Sequence, residues 1–211
     1  MEKLILALDC SLRWTNAAVF MGGATLISER FDIGRRQAAE LPVIVKNALS
    51  ETGHSFEHIG LLAVTNGPGY FTGIRIGVAY AAALAYALDV KVAPVSTLHM
   101  LAHPQIRQAL KTPVLAAVYA GQERVYAASF GSDNELPAGG YKKNDIEKWL
   151  GTHENAEIVS DDPEKAFLPH LGRKITLVRP DAAEVAHIAW QSPETAVHPM
   201  NIRVSYHRDP L

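Results

Sequence analysis

A chain of 211 residues that is 48% hydrophobic and 20% charged can bury one large core or two small ones, which excludes the disordered and fibrous classes. A net charge of −2 sets up no field for polyanions, and the pairs Arg35-Arg36 and Lys142-Lys143 read as solvated surface rather than a nucleic-acid footprint. The single cysteine, Cys10, excludes an internal disulfide and fits a reducing compartment.

Leu4–Asp9 is a near-continuous apolar run, the mark of a strand buried on both faces. It begins almost at the N-terminus, with no basic segment and cleavage site before it. No apolar run is long enough to span a bilayer, so a cytoplasmic, soluble protein is expected. Asn16–Phe20 and Ala24–Phe31 flank Met21-Gly22-Gly23 and predict a hairpin. Ala38–Thr52 predicts a helix, with Leu41, Ile44, Val45, Ala48 and Leu49 in register and Pro42 in its first turn.

Leu61–Thr65 predicts a buried strand, and residues 66–77 then lead into a helix over Phe71–Leu88. Gly67, Pro68 and Gly69 suit a tight turn, and Thr72 is the expected N-cap. A strand, a glycine turn and a helix start form either an anion cradle or simply a compact connection. The run is neither a Walker A loop nor a dinucleotide fingerprint, because it lacks Gly-Lys-Ser/Thr and the Gly-x-Gly-x-x-Gly spacing.

From Ile76 to Leu88 no residue is charged. At about 100° per residue, Ile74, Gly77, Val78, Ala81, Ala85 and Leu88 share one face, with Ile76, Tyr80, Ala83 and Ala87 opposite. A helix apolar all round is covered on both sides. The cover is either this chain itself or a second helix from a partner.

Lys91–Val95 predicts the next strand, followed by a helix from Ser96 to about Leu110. After Lys111-Thr112-Pro113 the pattern restarts, with Val114–Val118 and Arg124–Phe130 as a second hairpin turning near Gly121. Gly131–Tyr141 reads as a polar loop, and Ala156–Ser160 as a short strand. Asn144 with Glu147, and Asp181 with Glu184, have capping-box spacing. The order implies two α/β lobes, residues 1–110 and a smaller, less regular 111–211, with a hint of duplication in their hairpin starts.

At Leu6-Ala7-Leu8-Asp9-Cys10-Ser11, Gly67-Pro68-Gly69-Tyr70-Phe71-Thr72-Gly73-Ile74-Arg75-Ile76-Gly77 and Pro94-Val95-Ser96-Thr97-Leu98, the chain resembles the TsaB (YeaZ) family. The resemblance covers about residues 3–130 and thins out afterwards to Pro199-Met200-Asn201-Ile202-Arg203. It implies the duplicated actin/Hsp70/sugar-kinase α/β fold, with a degenerate second lobe. It also implies a non-catalytic partner of TsaD, acting with the ATPase TsaE to place threonylcarbamoyl on N6 of adenosine 37 in tRNAs that read codons starting with A.

By the same resemblance, the first-lobe helices bind the partner. Ile76, Tyr80, Ala83 and Ala87 are the expected contact residues, together with Leu41 and Val45; the motif residues are Asp9, Ser11, Gly67, Pro68, Gly69, Thr72, Gly73, Arg75 and Gly77. A homodimer on the same helix fits the chain when alone. The chain departs from the family pattern at Tyr70 (commonly serine), Cys10 (commonly threonine), Arg36 (near a frequent histidine) and Tyr119-Ala120-Gly121 (often Asp-Ala-Arg).

Candidate chemistry is thin. Asp9-Cys10-Ser11 stands where kinase-like members of the fold place an acidic residue and a first phosphate loop. A second such loop is expected after Val118, but Tyr119–Arg124 contains one glycine and no Asp-x-Gly. His99 and His103 share an i, i+4 spacing without the glutamate of a zinc helix, two residues out of register with the TsaD ligand positions, and read as surface histidines. Ser11, Ser96 and Cys10 have no nucleophile elbow. The expectation is therefore no catalytic residue, no metal and no intrinsic cofactor, with nucleotide only at the partner complex and tRNA contacted only through it. The alternative is a small-molecule phosphotransferase or hydrolase using Asp9.

Overall fold

The computed structural model describes residues 3–108, 112–131, 135–166 and 172–207. The helix end expected near Leu110, the Lys111 restart, residues 132–134 of the polar loop and His170 lie outside the described residues. The elements run β1 (Leu4–Asp9), β2 (Thr15–Met21), β3 (Ala24–Phe31), α1 (Gln37–Glu51), β4 (Ile59–Gly67), α2 (Phe71–Ala87), β5 (Lys91–Ser96) and α3 (Thr97–Ile106). They continue with β6 (Val114–Tyr119), β7 (Arg124–Phe130), β8 (Gly139–Lys142), α4 (Lys143–Thr152), β9 (Glu157–Ser160), α5 (Pro163–Ala166), β10 (Ile175–Leu177) and α6 (Ala182–Gln191).

The first sheet has the order β3-β2-β1-β4-β5, antiparallel through the hairpins and parallel from β1 to β4 to β5. Central β1 is buried at every position, as its near-continuous apolar sequence leads one to expect. Its two faces differ. Leu4, Leu6 and Leu8 join Ala17, Val19, Leu62 and Val64 in a core closed by α1 and α2. On the other face, Ala18, Ala7, Ala63 and Ala93 are register partners in one row across four strands, and all are wholly buried. The α6 helix packs on this sheet, presenting Ala182, Val185, Ala186 and Ala189. Small residues on both surfaces bring helix and sheet close together.

The second sheet, β10-β9-β6-β7-β8, repeats the first strand for strand, with β6 and β7 as its opening hairpin and β6, β9 and β10 parallel. Its core joins Leu115, Ala117, Val125 and Ile158 to Ile146 and Leu150 of α4. The hinted duplication is thus present as topology.

Three expectations are corrected. The loop read over Gly131–Tyr141 contains the edge strand β8, short and glycine-rich enough to carry no alternating signal. Asn144 is no N-cap: α4 starts one residue earlier, behind Lys142, without a side-chain cap, whereas Asp181 does cap α6 by accepting from the Ala183 N–H at 2.9 Å. The boundary at residue 110 also moves. Met1–Met100 groups with Pro180–Ser205, and Leu101–Arg179 with Tyr206–Leu211, because α6 and the tail find their apolar complement on the first sheet. The tail is held there by paired backbone bonds between Val92 and Val197 and by Ser205 N–H to Asn66 O at 2.8 Å.

Candidate functional site

Asp9 ends β1 with no solvent exposure, which is costly for a carboxylate unless its lone pairs are filled. They are filled from within. Oδ1 accepts from the Ser11 N–H (2.9 Å), the Ser11 hydroxyl (2.6 Å) and the Thr65 hydroxyl (2.6 Å), and Oδ2 accepts from the Asn16 amide (2.8 Å). These donors come from the first turn, β4 and β2. Asp9 therefore ties three strands together, and its oxygens face the chain's own donors.

The glycine motif is pressed on by the chain's own carbonyls. A Cβ on Gly67 would lie 2.6 Å from Ser205 O, one on Gly69 2.1 Å from Ser11 O, and one on Gly73 2.0 Å from Cys10 O. Gly67 has φ 114°, which also favours glycine. The Tyr70 N–H donates to Ser11 O at 2.7 Å. Carbonyl oxygens thus fill the space that a Cβ would take at these three glycines. Of the two readings of this segment, the compact connection is the one observed. Thr72 is not the N-cap: Tyr70 holds that position without a side-chain bond, and Thr72 lies exposed in the first turn.

Cys10 sits under this closure, 1% exposed. Burial pushes its thiol pKa far above the ordinary value, Asp9 adds to the shift, and a hydrogen bond with Thr15 opposes it. A thiol held protonated is a poor nucleophile. Cys10 is therefore expected to resist an alkylating reagent in the native chain at about pH 8 and to react on unfolding. Labelling at the rate of a free thiol would show that the loop opens.

On α2, Gly73, Ile74, Gly77, Val78, Ala81 and Ala85 face the core, and Leu88 is half-buried. Ile76 and Tyr80 are half-buried and Ala83 and Ala87 exposed, with desolvation raising the Tyr80 pKa. Around Ala79 and Ala83 stand Phe71 (53% exposed) and Tyr86 (65%), the Phe71 ring covered by the Arg75 guanidinium at 3.7 Å. Leu41 and Val45 do not belong to this surface. Both are wholly buried, because the amphipathic stripe of α1 points at the sheet; the large apolar side chain that α1 exposes is Val43, 52% accessible. Phe71, Tyr86, Val43 and Met200 were not anticipated as surface residues. For Tyr86 the signal is in the sequence, since it falls beside Ala79 on the helical wheel, whereas Phe71 lies at the edge of the buried face, next to Val78.

The remaining positions carry less. His103 is 2% exposed and His99 half-buried, so they are not the surface pair expected. Among the described residues, no group of three or more His, Cys, Asp or Glu side chains is placed to hold a metal. No helix among them is long and apolar enough to cross a membrane. Arg36 pairs with Glu40 at 3.1 Å on the surface. The Tyr119–Arg124 turn closes on itself through Ala120 N–H to Arg124 O and Arg124 N–H to Gly121 O, both 3.1 Å.

A family model described as TsaD: tRNA N6-adenosine threonylcarbamoyltransferase matches residues 32–200. The tRNA threonylcarbamoyladenosine biosynthesis protein TsaB of Escherichia coli (strain K12) is 31% identical over 160 residues, 75% of this chain and 68% of that protein. The structure of YeaZ from Pseudomonas aeruginosa superposes with a TM-score of 0.76 at 24% identity, covering 97% of this chain and 99% of that one. An inorganic polyphosphate/ATP-glucomannokinase from Arthrobacter sp. strain KM follows at 0.52 and 12%, covering 91% and 99%, a likeness of fold alone. The two matching sheets are those of the duplicated actin/Hsp70/sugar-kinase fold. The family model covers well over half of the chain and the Escherichia coli relative is 31% identical over 75% of it, and on that footing the chain belongs to the TsaB (YeaZ) family of tRNA threonylcarbamoyladenosine biosynthesis.

Proposed function

We propose that the chain is a non-catalytic scaffold and activating subunit of the machinery that installs threonylcarbamoyl on N6 of adenosine 37 of tRNAs reading codons that start with A. Its direct partner is a TsaD-like protein, with a TsaE-like ATPase joining the pair in the cytoplasm. The observation that carries this reading is the uncharged Ile76-Tyr80-Ala83-Ala87 face of α2, rimmed by Phe71 and Tyr86. Alanines permit close helix approach, and exposed aromatics supply anchor area. In isolation, the same face serves a homodimer.

The absence of catalysis is supported by the closed first loop. A phosphotransferase or hydrolase working through Asp9 would need that carboxylate to reach substrate, yet four internal donors hold it. Ser205, Ser11 and Cys10 carbonyls fill the cradle beside it. Any nucleotide binds through the complex, with no intrinsic cofactor, and tRNA is reached through the partner.

The test is reconstitution with a TsaD-like and a TsaE-like protein. The chain is expected to be required for threonylcarbamoyl-adenosine formation, while alone it turns over ATP well below the roughly 1 per second of ordinary enzymes. Turnover by the chain alone that disappears in Asp9→Ala would overturn the reading, as would full modification without the chain.

A further inference from the structure

Within the second unit, the β6–β7 turn and the end of β8 border an open cavity of about 340 Å³ lined by Gln122, Glu123, Arg124, Lys142, Lys143 and Asn144. Of the pair Lys142-Lys143, read from sequence as solvated surface, Lys142 is exposed but Lys143 is not. Lys143 is only 9% exposed. Its ammonium has no carboxylate partner among the described residues and faces the Tyr119 ring at 5.8 Å. Its backbone is fixed by Lys143 N–H to Glu123 O at 3.0 Å, which joins the start of α4 to the turn.

Two further features of this corner work against folding. Arg124 and Lys142 are direct cross-strand partners, and like charges placed opposite each other destabilise a sheet. Gln122 holds a left-handed φ of 49°, unfavourable for a residue with a side chain. A largely buried lysine without a carboxylate partner, a like-charge pair and a left-handed turn residue converge on one cavity. Such costs cluster where a ligand supplies the compensation.

We propose that this cavity binds a phosphate group, with Lys143 as its inner cation and Arg124 and Lys142 at its rim. Lys143 and Lys142, with the Arg124 guanidinium beside them, face the single lining carboxylate Glu123, and this cationic lining complements the roughly −2 of a phosphate. Gln122 and Asn144 add neutral donors. Recognition here is by side-chain charge, unlike the backbone nest of a nucleotide kinase. The phosphate comes either from the backbone of RNA that the partner complex brings or from a nucleotide held in that complex, the chain itself contributing only this phosphate contact.

The experiment is titration of the full chain with inorganic tripolyphosphate. Saturable binding in the millimolar range or tighter is expected, weakened at least about tenfold by Lys143→Met and several-fold by Lys142→Met. Lys148→Met, an exposed lysine of the same helix, should leave binding unchanged. Because Lys143→Met removes an unpaired charge, the melting temperature without ligand should stay level or rise. If Lys143→Met fails to fold, the exposed Lys142→Met decides the matter by its own loss of binding. Displacement of tripolyphosphate by a short single-stranded RNA at lower concentration than by ATP assigns the RNA backbone, and the reverse order assigns a nucleotide. No tripolyphosphate binding, equal binding by all variants, or displacement by neither RNA nor ATP overturns the proposal.

Discussion

Gly73→Ala is expected to destabilise the chain by about 3 kcal/mol or more, the upper range for overpacking a tight site. The new methyl would sit 2.0 Å from Cys10 O and 3.2 Å from Gln37 Oε1, and the first of these is backbone. The α2 N-terminus would have to move off the first turn, breaking the Tyr70–Ser11 backbone bond. Gly77→Ala, one helical turn on, provides the internal control. Its methyl meets only side-chain atoms, Cys10 Cβ at 3.3 Å and Sγ at 3.5 Å. Gly77 lies in the interior of α2, where alanine gains up to about 1 kcal/mol of helix propensity, and Gly73 in its first turn, so a loss at Gly73 that Gly77 does not share reports the contact with the carbonyl. For a chain of this size, each kcal/mol moves the melting temperature by roughly 2–4 °C. Equal melting temperatures for the two variants would mean that the loop does not close on Cys10 and Ser11 as described.

This closure marks the limit of what the sequence conveys about the site. Gly67, Gly69 and Gly73 signal that something approaches the backbone closely, and a phosphate and a carbonyl oxygen demand the same missing Cβ. Deciding between them needs Ser205, more than 130 positions away in the sequence, and the turn after β1. Asp9 is similar: the residue type announces polar work, but its four donors come from positions 11, 16 and 65.

The first sheet was legible because β1, β2 and β4 are dense apolar runs and Gly22-Gly23 can only turn. The α6 helix was legible as a helix start through Asp181, but not as a cover for the first sheet. The alanine row Ala18-Ala7-Ala63-Ala93 that receives it exists only after four strands are in register. Leu41 and Val45 show the converse error. Knowing that a helix binds a partner does not reveal which stripe does so, and the most apolar stripe belongs to the core. Lys143 hides its burial for a further reason: a long aliphatic stem can be covered while the ammonium remains at a cavity.

Replacing Ala83 by arginine should abolish partner binding and leave the fold intact. Ala83 is exposed, on the side of α2 away from Ile74, Ala81 and Ala85, which pack in the core. In the monomer an arginine there projects into water between Ala79 and Ala87, at little cost to stability. Against a closely packed partner helix, the guanidinium is desolvated and unpaired, and its length forces the helices apart. The expected penalty on association is about 2–5 kcal/mol, roughly 30-fold or more in Kd. Ala81→Arg, wholly buried two residues away, should instead unfold the chain. Melting temperature and affinity for a TsaD-like partner, measured side by side, separate the outcomes. An unchanged melt with lost binding places the partner on this face. A collapsed melt for Ala83→Arg would assign the face to the core, and intact binding would move the interface to another helix.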